Sequence, residues 1–240
     1  MIVRVWFPAR CRRWQVNLDV DYLEIFMPNN VSQRPTTNMP QRLLQALCRT
    51  NQGLLDQKSQ LLQTLLQKLG AERSSALYIQ HAPNGSIGQH LRHSLDHMAY
   101  AVNAAAQDDN NVHYDRRQRS TPDEQSMDHA LKRIATLHDQ FQHLTTTTQK
   151  DDALVVRPVT AYFLLSSDSS SSSSNEAGLP STVGRELGFA AHHAMHHMAL
   201  LQRILVIESK ILTADELPPN FGTAPSTTAY HNQQQEQQEQ

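Results

Sequence analysis

Four histidines within six residues, His192, His193, His196 and His197, lie in a stretch from Ser181 to about Ser209 (STVGRELGFAAHHAMHHMALLQRILVIES) that carries helical periodicity. A helix turns about 100° per residue. With Arg185 at zero, Phe189, Leu200, Ala190, Ile204, Leu201, Leu187 and Leu205 fill an apolar arc of roughly 40° to 200°. His193 falls near 80° and His197 near 120°, inside that arc, whereas His192 and His196 fall near 340° and 20°, beside Arg185 and Arg203. The helix therefore aims one i, i+4 pair of imidazoles at a core and the other at solvent. Inward imidazoles must satisfy two ring nitrogens each away from water. Core hydrogen bonding can do this for one histidine. For two at this spacing a shared metal ion competes, as in H-E-x-x-H helices. The glutamate of that motif is missing, so a metalloprotease is excluded and a further ligand has to come from elsewhere in the chain.

The search for that ligand leads to SIGQHLRHSLDHMAYAVNAAA, residues 86–106, which follows a turn at Asn84-Gly85 with Ser86 as helix N-cap. Ile87, Leu91, Leu95, Met98 and Val102 form its apolar stripe, and Gln89, Arg92, Asp96 and Asn103 lie opposite. His90, His93 and His97 line one flank. Angle alone favours His90 or His97, which sit closer to the apolar stripe than His93.

Two more helices complete the set. From Gln41 to Leu69, Leu44, Leu47, Leu54, Leu55, Leu61, Leu62, Leu65 and Leu69 recur with helical spacing, and Gly70 stands where a C-terminal cap belongs. Thr121-Pro122-Asp123-Glu124 reads as a capping box with Pro at the first helical position. Met127, Leu131, Ile134, Leu137, Phe141 and Leu144 continue it. Between this helix and the last, LVVRPVTAYFLL reads as an extended segment or short strand, interrupted by Pro158. A serine tract follows, so the connection to the histidine-rich helix is a long crossover. The predicted fold class is all-α, a four-helix bundle, and such bundles build metal sites from facing helices. No glutamate has a histidine three residues later, which removes the di-iron version.

The predicted organisation is a weakly structured extension over 1–38, a bundle over 39–212 with a flexible Ser-rich insertion at about 166–178, and a disordered Gln-rich tail over 213–240. The folded part of the 240 residues is one domain. A net charge of −2 with acids and bases interspersed provides no basic stripe for nucleic acid. The apolar runs are too short to span a bilayer. Cys11 and Cys48 form neither a CxxC nor a disulfide framework, which points to a reducing, cytoplasmic setting. The Arg-bearing start, with Arg4, Arg10, Arg12 and Arg13 ahead of the first acid, leaves organelle targeting as the alternative.

SIGQHLRHSLDH followed by GRELGFAAHHAMHH resembles the DinB-like family of metal-binding four-helix bundles. His93-Ser94-Leu95-Asp96 matches that family's H-x-x-D element, and His193 and His197 match its H-x-x-x-H pair. The resemblance covers about residues 40–210 and implies an up-down-down-up bundle. It also implies a divalent metal held by His93, His193 and His197, with His93 in place of the His90 or His97 that angle favours. Zinc fits imidazole best, with nickel, iron or manganese as alternatives. Asp96, one turn from His93, is the expected orienter of that ring. The family includes thiol-dependent S-transferases and isomerases, so the implied partner is a small-molecule thiol or electrophile. Three imidazoles leave coordination positions open, as catalytic sites do. The resemblance thus implies a thiol S-transferase or hydrolase-like metalloenzyme. The rival is a non-enzymatic, metal-stabilised binding module, and either would be compatible with a homodimer.

Overall fold

The computed structural model describes residues 39–80, 85–107, 110–116, 118–147, 153–165 and 176–238, with side chains from Leu43 onward. The extension expected over 1–38, the serine tract and the last two residues lie outside this set. The elements are α1 (Met39–Ile79), α2 (Ile87–Ala106), β1 (Asn111–His113), α3 (Pro122–Gln125), α4 (Met127–Thr147), β2 (Pro158–Leu164), β3 (Glu176–Thr182), α5 (Val183–Gln202) and α6 (Pro225–Gln238). The protein is mostly helical with a small three-stranded sheet. Among the described residues no helix is long and apolar enough to cross a membrane.

Each long helix forms where its apolar stripe finds a partner. Leu55, Leu61, Leu62 and Leu65 of α1 are fully buried, and each such leucine contributes roughly 1.5–3 kcal/mol of hydrophobic stabilisation. Gly70 interrupts α1 with φ 76° and ψ 167°, the positive φ expected of a cap. A further helical piece then runs on to Ile79, ten residues beyond the Leu69 at which the leucine spacing ends. In α2, Ser86 and Gln89 make a reciprocal capping box. Arg157 closes the other end of α2 by donating to the carbonyls of Ala104, Ala105 and Gln107, where a cation meets the negative end of the helix dipole. Ile134, Leu137, Phe141 and Leu144 bury the inner face of α4. α1 packs on α4 and α5, and α2 packs on α5 and α4.

Three features differ from the sequence reading. The capping box expected at Thr121 and Glu124 is not made. Glu124 instead accepts from the backbone N–H of Ser120 at 3.1 Å and pairs with Arg92 at 2.8 Å. Its helix stops after Gln125 and restarts at Met127. The extended stretch after Val156 becomes β2, which pairs parallel with β1 and antiparallel with β3. β3 occupies residues assigned in part to a flexible insertion, and it leads straight into Thr182, the N-cap of α5.

The third difference lies in the tail expected to be disordered from residue 213. The chain turns back after α5, with the N–H groups of Ile211 and Leu212 bonded to the Leu205 carbonyl. Leu212, Leu217 and Phe221 are then buried in the core. Lys68 pairs with Glu216 at 2.6 Å, and Gln57 donates to the Pro219 carbonyl at 3.0 Å. Gly222 has φ 69°, and a Cβ there would come within 2.6 Å of the Ala199 backbone nitrogen, so the strap crosses α5 backbone to backbone. Three well-spaced apolar anchors were enough to hold a segment whose composition reads as polar. Beyond it α6 is a polar helix with an exposed Tyr230.

The strap and not α6 should therefore carry stability. Removing residues 224–240 is expected to leave the thermal midpoint unchanged within a degree or two. Phe221→Ala is expected to cost about 3 kcal/mol by denaturant titration. Equal effects of the two changes would contradict this assignment.

Candidate metal centre

α2 and α5 pack against each other. α2 contributes His90, His93 and His97, and α5 contributes His193 and His197. His90, His97 and His197 are buried, and His93 and His193 are half-buried. The imidazoles meet edge to edge. The Nε2 atoms of His193 and His93 are 3.1 Å apart, and those of His197 and His193 are 3.2 Å apart. On its other side, His197 Nδ1 lies 3.0 Å from His90 Nδ1. The His97 ring centroid is 3.9 Å from that of His193.

Burial favours the neutral form of His197 and His193. Desolvation, and then the neighbouring histidines, push His197 down to about 2. Desolvation, His196 and Lys58 lower His193 as well. Neutral imidazoles are a donor set suited to a borderline divalent ion. An ion with bonds of 2.0–2.1 Å in tetrahedral geometry sets its ligand nitrogens about 3.3 Å apart, close to the 3.1 and 3.2 Å seen here. One ligand atom from each of His93, His97 and His193 also lies within 4.8 Å of the others, so this triad could hold a metal ion. The residues present thus fit a metal.

The surroundings hold the rings in place. Tyr114 stacks on His97 with centroids 4.6 Å apart, and its hydroxyl donates to Glu186 Oε2 at 2.5 Å. Glu186, fully buried at the start of α5, also accepts from Ser181 and Arg185. Burial and the Glu186 carboxylate push the Tyr114 phenol above its ordinary range, so it remains a donor. Phe189 stacks on His193, and Phe163 stacks on Tyr114, which gives the cluster an aromatic wall.

Asp96, the expected orienter of His93, has arginines on both oxygens. Arg92 donates to Oδ2 at 2.7 Å and Arg133 to Oδ1 at 2.6 Å. Arg133 also pairs with Asp123 at 2.5 Å. This largely buried network ties α2 to α3 and α4. It acts on α2 as a whole.

His192 and His196 are exposed, as their angles required. Lys58 was missed. It replaces a leucine in the stripe Leu54, Leu55, Leu61, Leu62 and Leu65, and that spacing was the available signal. Its side chain is fully buried and donates to Met198 Sδ at 3.6 Å. Burial lowers its ammonium to about 7. An unfolded lysine keeps its proton to about 10.4. The unfolded state therefore binds more protons between these values, and stability should rise with pH from 7 to 10. Lys58→Met is expected to remove that rise and to stabilise the metal-free protein at pH 7 by on the order of 4 kcal/mol. Urea titrations of both proteins at pH 7 and pH 9.5 test this, and parallel pH profiles would refute it.

Compared with models of protein families, with curated proteins and with solved structures, the chain matches none of them.

Proposed function

We propose that this protein is a divalent-metal protein of the DinB-like type, an up-down-down-up four-helix bundle in which His93, His193 and His197 bind one ion through Nε2. The observation that carries the reading is that His193 Nε2 lies 3.1 Å from His93 Nε2 and 3.2 Å from His197 Nε2, across two helices. His90 supports it from behind: its Nδ1 meets His197 Nδ1 at 3.0 Å, and when His197 Nδ1 is the donor in that contact its Nε2 lone pair is left to the ion. The closeness of His97 to His93 and His193 favours a second version, in which His97 replaces His197 or joins the set. Zinc is the metal proposed.

The proposed activity is that of a thiol S-transferase or a hydrolase-like enzyme acting on a small-molecule thiol or electrophile. A divalent ion in this site supplies the Lewis acidity that makes a thiol or a water nucleophilic at neutral pH. The half-buried His93 and His193 mark the side from which a substrate reaches the cluster. The half-buried Phe189 and Phe163, backed by the buried Tyr114, limit water there and provide apolar surface for the body of a substrate. Cys48 is buried, and burial raises its thiol to about 12, so it offers no competing nucleophile.

Metal analysis of the purified protein tests the site. His193→Ala or His197→Ala should abolish tight stoichiometric metal, and His192→Ala should not. Equal retention by all three would sink the proposal.

A chelated and reconstituted sample tests the chemistry. Turnover in a thiol–electrophile and hydrolase screen should rise and fall with metal content. Activity that survives complete metal removal would end the catalytic reading. Metal-restored melting temperature without turnover across the screen would favour the binding module.

A further inference from the structure

α5 carries its four histidines as two i, i+4 pairs turned by about 100° from each other. The inner pair belongs to the cluster already described. The outer pair, His192 and His196, is exposed. Among the described residues neither ring takes part in a hydrogen bond or an ion pair. Imidazoles four residues apart on one helix face can reach a single ion. A pair left in water is free to do so without any rearrangement of the core.

The position of this pair gives it a further meaning. The His196 ring centroid lies 5.3 Å from that of His197 and 6.3 Å from that of His193. The outer pair therefore borders the inner cluster through His196. Three of the inner rings are buried, so an ion cannot reach them from every side. Its path has to pass a half-buried ring, His93 or His193, and His196 stands next to His193. Arg203, the cation at the far end of this face, is paired with Glu208 at 2.9 Å, which reduces its repulsion of an incoming cation.

We propose that His192 and His196 form a second, exposed two-imidazole site for a borderline divalent cation, which captures the ion at the mouth of the inner cluster and passes it inward. The capture step rests on the inner site proposed above; the outer site itself does not. The outer site is the weaker of the two, because it has two ligands and no buried support. An ion held there is presented to His193 at a high effective concentration, which speeds loading without changing the final affinity of the inner site.

The test uses the full-length, metal-free protein and Zn²⁺ or Co²⁺ alone. Calorimetric titration with Zn²⁺ should give one tight and one weaker class in the wild type. His192→Ala and His196→Gln should each lose the weaker class and keep the tight one. His193→Ala should lose the tight class and keep the weaker one. Stopped-flow growth of the Co²⁺ ligand-field absorption should be at least about tenfold slower in the His192→Ala/His196→Gln double variant, with the same final spectrum. If both outer variants keep two classes, or the wild type shows the tight class alone, the outer site is overturned. If the weaker class disappears but the loading rate does not change, the capture role is overturned. A wild type that shows the weaker class and no tight one would refute the inner site and leave the outer site standing.

Discussion

The contact between α2 and α5 is the constraint on which the rest of the structure depends. It places polar rings in a largely dry interface, where an unsatisfied nitrogen costs on the order of 1–3 kcal/mol. The chain meets that demand by making the rings partners of one another. His193 faces His93, His197 faces His193, and His90 faces the back of His197. Such a cluster tolerates little sliding of one helix on the other. Rotating α5 by one residue would replace His193 and His197 with His192 and His196 at the interface. The rotational setting of both helices is therefore set by polar matching as much as by apolar packing.

Three devices outside the cluster hold that setting. At one end, Tyr114 links the sheet to the first turn of α5 through Glu186 and lays its ring on His97. Along the outer face of α2, Asp96 joins Arg92 and Arg133, and Asp123 and Glu124 complete the network. Buried ion pairs of this kind add little net stability, but losing one partner leaves an uncompensated charge. Their contribution is to the position of α2. At the far end, the strap through Leu217 and Phe221 presses on α5 where Gly222 allows its backbone to come close.

Lys58 shows that the interior near the histidines is not optimised for stability alone. A fully buried lysine whose acceptor is a thioether costs folding free energy that a leucine would not. Concentrations of buried polar groups of this kind, around a cluster of potential ligands, mark places where local stability rules yield to function.

The sequence by itself determined the local features. The angular position of each residue on α5 follows from period alone, and it separated His193 and His197 from His192 and His196 correctly. Ser86 as an N-cap, and Gly70 with its positive φ, were legible because capping and left-handed backbone are decided within a few residues. Angle also singled out His90 and His97, while the resemblance singled out His93. The tertiary structure brings all three to α5, because the crossing of two helices is not contained in the period of either. The small sheet was hidden for the same reason: β1 has three residues and β3 carries Gly178 and Pro180, so neither signals a strand until β2 pairs with it. The buried strap was hidden because its three anchors are separated by polar residues and have no period. What the neighbours within one turn decide can be read from the chain. Which nitrogen faces which, and which polar segment finds a groove, was decided by long-range packing.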